Sequence, residues 1–136
     1  MARILVVEDN EVNMRLASII LVSAGHEVLS ACDATAGMAA ARGDAPDIVL
    51  MDIQLPGLDG LHAVRQLKSD STTAAIPVLA VTAFAMKGDR ERFLAAGFDG
   101  YLAKPYRSGD LLEAIAQALA NRGPGLVDAQ LDAEMP

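Results

Sequence analysis

Short, unbroken apolar runs recur along the chain, and turn-forming residues bound each of them. The runs cover residues 4–7, 27–29 (where Glu27 precedes the apolar Val28 and Leu29), 48–51, 78–81 and, more weakly, 100–102. Uninterrupted apolar runs of this length are typical of strands buried on both faces, as in a parallel sheet that is covered by helices. The pattern therefore predicts five strands in one parallel sheet.

Segments with helical spacing of apolar residues follow each of these runs. They span about residues 11–24, 34–43, 60–69, 87–96 and 107–121, and they are rich in the helix formers Ala, Leu, Arg and Met. Gly25 and Gly97 stand where two of the helices would end, and Pro46 and Pro77 precede the third and fourth strands. A βα unit repeated five times, with right-handed crossovers, predicts an α/β fold: a flavodoxin-like (βα)5 doubly wound parallel sheet with strand order 2-1-3-4-5.

The length and composition suit one compact domain. The chain has 136 residues, of which 52% are hydrophobic, and this size is usual for a single domain. The composition changes near Gly123-Pro124-Gly125. We therefore predict a domain over residues 1–122 and a flexible acidic tail over residues 123–136.

Charge and cysteine content exclude several classes of function. A net charge of −7 argues against nucleic acid as a ligand, since binding would need basic surface to replace phosphate counterions. The single cysteine, Cys32, cannot form an internal disulfide, and we expect it to be a small buried side chain. No apolar run approaches the roughly 20 residues that span a bilayer. These features predict a cytoplasmic protein that does not enter membranes.

Polar side chains follow the predicted strands at their carboxyl ends. Glu8 and Asp9 follow the first strand, Asp52 the third, Thr82 the fourth and Lys104 the fifth. The carboxyl ends of parallel strands share one edge of the sheet, so these groups should meet in one crevice. Three neighbouring carboxylates raise one another's pKa values, and a divalent cation would balance their charge. Oxygen ligands without imidazole or thiolate favour Mg²⁺, with Mn²⁺ as the alternative.

A carboxylate beside Mg²⁺ and a lysine can attack a phosphoryl donor. The product is an acyl phosphate, whose charge the metal and the ammonium neutralise. Asp52 ends the central strand, whereas Glu8 and Asp9 belong to a neighbouring strand and are better placed to hold the metal. We therefore predict that Asp52 is the nucleophile.

Over residues 3–121 the chain resembles the receiver domain of two-component response regulators. The resemblance rests on four motifs in family order: Val7-Glu8-Asp9-Asn10, Met51-Asp52-Ile53-Gln54-Leu55-Pro56-Gly57-Leu58-Asp59-Gly60, Val81-Thr82-Ala83 and Lys104-Pro105. Residues 81–89, with Asn10 and Asn13, are most similar to DivK-type single-domain regulators.

The resemblance implies a role for each matching residue of the metal site. Asp52 matches the phosphoacceptor, Asp9 the direct metal ligand and Glu8 the acid that acts through water. Gln54 occupies the position whose backbone carbonyl binds the metal, so Mg²⁺ is the implied cofactor. Glu8 departs from the Asp that is common at its position, and this exchange is a familiar variant.

Further positions match the family's switch and phosphate-binding residues. Lys104 matches the phosphate-pairing lysine, and a cis bond to Pro105 would turn it into the crevice. Thr82 matches the switch hydroxyl and Tyr101 the switch aromatic, although a strand residue bonded to local backbone and a packed aromatic ring are open alternatives. Phe84 would shield the acyl phosphate from water and lengthen its lifetime, unless the ring packs against the fourth helix instead.

The first predicted helix carries apolar residues on two sides. We expect one set to face the sheet: Val12, Leu16, Ile19, Ile20 and Ser23. The second stripe is Met14, Ala17, Leu21 and Ala24. An apolar stripe beside a reactive site is typical of a partner-docking surface, so we predict that Met14, Ala17 and Leu21 dock the phosphodonor. The alternative is that the last helix covers them.

Together these features predict a phosphorylation-dependent switch that catalyses only its own phosphorylation and dephosphorylation. A histidine kinase or a histidine phosphotransfer protein would donate the phosphoryl group. Output would be binding of a downstream protein partner by the surface of the fourth helix, fifth strand and fifth helix, and the chain would be a monomer or weak dimer.

Three alternatives remain open from sequence. A haloacid-dehalogenase-like phosphatase also uses an Asp nucleophile and Mg²⁺, but it needs an acid two residues later, where this chain has Gln54. A binding module that never turns over phosphate is disfavoured by the intact set of strand-end residues. A receiver fragment of a larger hybrid kinase is the third alternative, although the initial Met and the acidic tail favour a complete chain.

Overall fold

The sheet has the predicted order and direction. The computed structural model describes residues 1–55, 60–83 and 88–121. Its five strands are all parallel and lie in the order β2-β1-β3-β4-β5, which confirms the flavodoxin-like (βα)5 prediction. The strands are β1 (Arg3–Val7), β2 (Glu27–Ala31), β3 (Ile48–Asp52), β4 (Val78–Thr82) and β5 (Gly100–Ala103).

A helix follows each strand along the chain. The helices are α1 (Glu11–Ser23), α2 (Ala34–Asp44), α3 (Gly60–Ser69), α4 (Asp89–Ala96) and α5 (Ser108–Ala120). Four of them agree with the predicted bounds to within one residue at each end. The exception is α4, which begins at Asp89 rather than at residue 87. Gly88 precedes it with a φ of 90°, a left-handed conformation that cannot belong to a right-handed helix.

Local capping explains where the helices start and stop. The side chain of Asn10 accepts a hydrogen bond from the Asn13 backbone N–H at 3.0 Å, and Asp33 does the same for Ala36 at 2.8 Å. These bonds satisfy backbone donors that have no partner inside the helix. Gly25 and Gly97, with φ of 92° and 120°, follow α1 and α4 in the left-handed region that glycine adopts without strain.

The sheet is covered on both faces because alternate strand residues point to opposite sides. Ile4 and Val6 pack with residues of α1 and α5 in one buried cluster. Leu5 and Val7 pack with residues of α2, α3 and α4 in the other. Every residue of β3 and β4 is buried, so the unbroken apolar runs mark the centre of the sheet.

The predicted orientation of α1 is wrong. Ala17 and Leu21 are buried against the sheet, and Met14 is partly buried in the same cluster with Leu111 and Ile115 of α5. The set that was expected to face the sheet is largely exposed instead: Val12 at 74%, Leu16 at 49%, Ile19 at 58% and Val22, on the same side, at 60%. A helix that is apolar on both sides has no polar face to mark the solvent side, so periodicity alone cannot orient it.

The structure bears on the expectations about Cys32, about membrane-spanning helices and about the domain boundary. Cys32 is exposed, which corrects the expectation of a buried thiol; it stands just after β2, an edge strand of the sheet. Within residues 1–55, 60–83 and 88–121, no helix is long and apolar enough to cross a lipid bilayer. The predicted domain boundary at residues 122 and 123 lies outside the described residues.

The loop between α3 and β4 is held by Asp70. Its carboxylate accepts hydrogen bonds from the backbone N–H and the hydroxyl of Thr72, at 2.9 and 2.7 Å, and from the Arg42 guanidinium at 2.9 Å. The bonds from Thr72 and then the one from Arg42 lower the pKa of Asp70 from 3.8 to about 2.

We predict that Asp70 contributes to the acid sensitivity of the fold. Because its pKa is lower in the folded chain than in the unfolded chain, its contribution is complete above pH 3.8 and is lost as the pH falls towards about 2. Asp70→Asn should therefore flatten the fall of the unfolding free energy in this window. Urea denaturation at pH 5 and pH 3 measures this effect, with Glu113→Gln on α5 as a control. Equal pH dependence of Asp70→Asn and wild type would contradict the prediction.

Candidate functional site

The carboxyl edge of the sheet brings the predicted site residues together. Asp52 is the last residue of β3, and Thr82 is the last residue of β4. Glu8 and Asp9 directly follow β1, and Lys104 directly follows β5. The strand order places β1 and β4 on either side of β3. The site therefore lies where the winding of the sheet reverses, as expected for this topology.

Three carboxylates form a compact cluster. One carboxylate oxygen from each of Glu8, Asp9 and Asp52 lies within 4.8 Å of the other two. Glu8 and Asp52 are buried, whereas Asp9 is exposed at the mouth of the cluster. Carboxylate oxygens are the ligands that hard cations prefer, and the set contains neither imidazole nor thiolate. The residues therefore fit Mg²⁺.

The ammonium of Lys104 bridges two of these acids. Its Nζ donates to Glu8 Oε1 at 2.8 Å and to Asp52 Oδ2 at 3.0 Å. The remaining oxygens accept from backbone groups: Glu8 Oε2 from Asn10 N–H at 3.2 Å, and Asp52 Oδ1 from Gln54 N–H at 2.9 Å. Every carboxylate oxygen of the two buried acids therefore has a donor.

The protonation equilibria of the bridge reflect burial and charge. Burial raises the pKa of Glu8; hydrogen bonds from Lys104 and Asn10 oppose this, and the negative charge of Asp52 adds to it. Burial alone would lower the pKa of Lys104, but its hydrogen bonds and charge interactions with Glu8 and Asp52 outweigh burial and raise it. Lys104 is therefore a firmly protonated cation beside Asp52.

Backbone hydrogen bonds fix the relative positions of β3, β4 and Lys104. The backbone N–H of Ile53 donates to Val81 O at 3.1 Å, and that of Lys104 donates to Thr82 O at 2.8 Å. The Lys104–Pro105 peptide bond is cis, the isomer that the sequence allowed. Thr82 is buried and ends β4, so a hydroxyl-bearing residue ends the strand next to the one that Asp52 ends.

Of the two aromatic residues predicted to act at the site, Tyr101 lies within the described residues and Phe84 does not. Tyr101 is half-buried on the side of the sheet that α3 and α4 cover, and its ring centroid lies 5.5 Å from that of Phe93. Its role as a switch stays a prediction. Phe84 lies outside the described residues, and its proposed shielding of the acyl phosphate is a prediction as well.

Two features of the site were missed in the sequence. The resemblance pairs Lys104 with phosphate alone, although Glu8 also accepts a hydrogen bond from it; the signal for this contact is the glutamate at position 8, one methylene longer than the usual aspartate. Gly60 carries no functional group that would mark it in the sequence, yet its backbone N–H donates to Ile53 O at 3.2 Å beside the nucleophile. Ala17 and Leu21, predicted for docking, are in the core instead.

Comparison with known proteins agrees with this geometry. Residues 4–116 match the model of the response regulator receiver domain. The polar-differentiation response regulators DivK of Brucella anthropi and Brucella ovis are each 41% identical over 118 residues, covering 87% of this chain and 96% of each relative.

Solved structures share the fold over the same region. The receiver domain of the sensor histidine kinase PA1611 of Pseudomonas aeruginosa, solved with magnesium in its active-site cleft, is 36% identical with a TM-score of 0.80; the match covers 87% of this chain and 97% of that one. The chemotaxis response regulator CheY4 of Vibrio cholerae is 27% identical with a TM-score of 0.81, covering 87% and 98%. With the strand order and the clustered acids, these matches show that the chain belongs to the response regulator receiver domain family.

Proposed function

We propose that Asp52 is the phosphoacceptor of a two-component or phosphorelay switch. The observation that carries the proposal is the contact of the Lys104 ammonium with Asp52 Oδ2 at 3.0 Å, within a cluster of acids at the carboxyl edge of the sheet. A buried carboxylate with a fixed cation beside it is placed to accept a phosphoryl group and to have the added charge balanced.

The proposed step is a direct transfer from a phosphohistidine. One carboxylate oxygen of Asp52 attacks phosphorus, the O–P bond forms as the P–N bond breaks, and the electron pair of that bond returns to the donor imidazole. Lys104 would stabilise the charge on the transferred phosphoryl oxygens. The chain would promote only its own phosphorylation and dephosphorylation.

Asp9, Glu8 and Asp52, with the backbone carbonyl of Gln54, would hold Mg²⁺, and Mn²⁺ is the alternative cation. When bound, the cation would supply neutralisation of phosphoryl charge that Lys104 alone cannot provide. Of these residues, Asp9 would contact the cation directly and Glu8 would act through water. Asp9 is the exposed acid of the three, and this exposure supports its assignment as the direct ligand.

Phosphorylation would be read by another protein. Thr82 ends β4, and Tyr101 of the neighbouring β5 packs its ring against Phe93 of α4. A shift of both side chains would change the surface formed by α4, β5 and α5. We assign this role to residues 1–122 and treat residues 123–136 as a tail. The single cysteine fits a reducing compartment, and we propose that the chain acts in the cytoplasm as a monomer or weak dimer.

The exposed side of α1 is the better candidate for docking the phosphodonor. Val12, Leu16, Ile19 and Val22 form one apolar stripe on this helix, which starts three residues after Glu8. A histidine kinase or histidine phosphotransfer protein that covers this stripe would bring its phosphohistidine near Asp52. Apolar exposure beside a reactive site is typical of an interface.

The phosphatase alternative is not favoured. Both the family match and Gln54, which stands where a second catalytic acid is required, support a receiver domain instead.

We predict one Mg²⁺-dependent phosphorylation site at Asp52. Incubation with acetyl phosphate and Mg²⁺ should add a single phosphoryl group to the intact mass of the wild type. Asp52→Asn keeps the shape of the side chain but removes the nucleophile and should not be labelled, whereas Asp110→Asn on α5 should be labelled normally. Labelling of Asp52→Asn at the wild-type rate would refute the assignment.

We predict that Asp9→Asn weakens Mg²⁺ binding by more than the roughly tenfold that loss of an outer-shell partner costs, because Asp9 is the proposed direct ligand. Glu8→Gln should have a smaller effect, because both oxygens of Glu8 already accept hydrogen bonds, from Lys104 and from Asn10. Isothermal titration with Mg²⁺ measures both, and Glu11→Gln, an exposed acid of α1, is the matched control. Equal or reversed losses would contradict the proposed order of the ligands.

We predict that Leu16→Asp and Ile19→Asp slow phosphotransfer from a protein donor roughly tenfold, equivalent to about 1.4 kcal/mol. Labelling by acetyl phosphate should be unchanged, because this small donor needs no docking surface. Leu94→Asp places the same charge on an exposed apolar residue of α4 and is the control. If both donors slow together, or the control slows transfer as much, the docking assignment fails.

A further inference from the structure

We propose that Gly60 is a positioning residue for the phosphoacceptor. It is the first residue of α3 and is buried, and its lack of a side chain lets the helix approach the backbone that carries Asp52. The inference rests on the proposed function of Asp52 and deepens it. It assigns to a residue without functional groups the task of holding the nucleophile and the neighbouring Gln54 carbonyl in place.

The contact at Gly60 is with backbone rather than with side chains. A Cβ atom on this residue would lie 3.0 Å from Asp52 O, 3.0 Å from Ile53 Cα and 3.3 Å from Ile53 O. The Gly60 N–H donates to Ile53 O at 3.2 Å, so the close approach is also a hydrogen bond. Since a backbone cannot rotate aside as a flexible side chain does, any added atom must displace one of the two segments.

The end of β3, which carries the nucleophile, lies between α3 and β4. Asp52 pairs with Val81 of β4, and Ile53 N–H donates to Val81 O at 3.1 Å, so an atom added on the α3 side would compress this segment against β4. A shift of a few tenths of an ångström at Asp52 and Ile53 would move the carboxylate relative to Lys104 and the Gln54 carbonyl relative to the acids. Misplacement by about 1 Å can reduce a rate about 100-fold, so a smaller shift should cost several-fold.

Other glycines supply matched controls. A Cβ on Gly109, within α5, would meet nothing within 4 Å, so Gly109→Ala should be harmless. Gly97 follows α4 with a φ of 120°, and a Cβ there would lie 3.3 Å from Lys68 Cγ. Gly97→Ala should therefore destabilise the fold by backbone strain away from the acid cluster, and it separates lost stability from lost positioning.

The experiment compares Gly60→Ala, Gly97→Ala and Gly109→Ala with the wild type. Melting temperature, Mg²⁺ affinity and the rate of labelling by acetyl phosphate at saturating Mg²⁺ are measured for each. We expect Gly60→Ala to lose roughly 3- to 10-fold in both Mg²⁺ affinity and labelling rate, with near-wild-type values for the two controls. Wild-type affinity and rate in Gly60→Ala, or equal losses in a Gly97→Ala protein of similar melting temperature, would overturn the proposal.

The design also decides the proposal if the wild type is not labelled or if Gly60→Ala does not fold. If the wild type is not labelled, the proposed function fails, while the Mg²⁺ affinities still decide the positioning role. If Gly60→Ala does not fold, Mg²⁺ is titrated into the wild type and amide resonances are followed by NMR. The Gly60 amide should then shift with the same midpoint as that of Ile53, and the Gly109 amide should not move; an unshifted Gly60 amide would overturn the proposal.

Discussion

The site depends on the burial of two carboxylates side by side. Glu8 follows β1 and Asp52 ends the adjacent β3, and both are buried, an arrangement in which like charges oppose ionisation. The Lys104 ammonium, within 3.0 Å of both, together with two backbone N–H groups, balances this charge. The same concentration of negative charge that needs Lys104 makes the cluster a fitting place for Mg²⁺ and for phosphoryl transfer.

The doubly wound sheet is what makes this arrangement attainable. Five parallel strands deliver their following residues to one edge, and helices on both faces exclude water from the central strands β3 and β4. Each site residue thus stands at the end of a rigid element, and the precision needed for group transfer comes from packing. Gly60 extends this principle, because α3 packs directly on the backbone that carries Asp52.

Helix α1 carries apolar residues on both its buried side and its exposed side. Ala17 and Leu21 serve the core, while Leu16 and Ile19 of the same helix remain exposed. The helix is therefore held in place by one side and can offer the other to a partner. The spacing predicted two stripes, but which stripe faced the sheet depended on how α1 docks beside α5.

The sequence by itself determined the strand order, the helix positions and the identity of the clustered residues. The helix positions and the clustered residues follow from local signals: apolar runs, capping residues such as Asn10, and polar residues at strand ends. The strand order follows from the repeated βα pattern and the right-handed crossover rule. Tertiary structure alone decided the orientation of α1, the exposure of Cys32, the Glu8–Lys104 contact and the close approach at Gly60. These depend on distances between residues far apart in the chain, such as the 96 positions between Glu8 and Lys104. Periodicity records which residues are apolar or charged, whereas packing between elements sets which atoms touch.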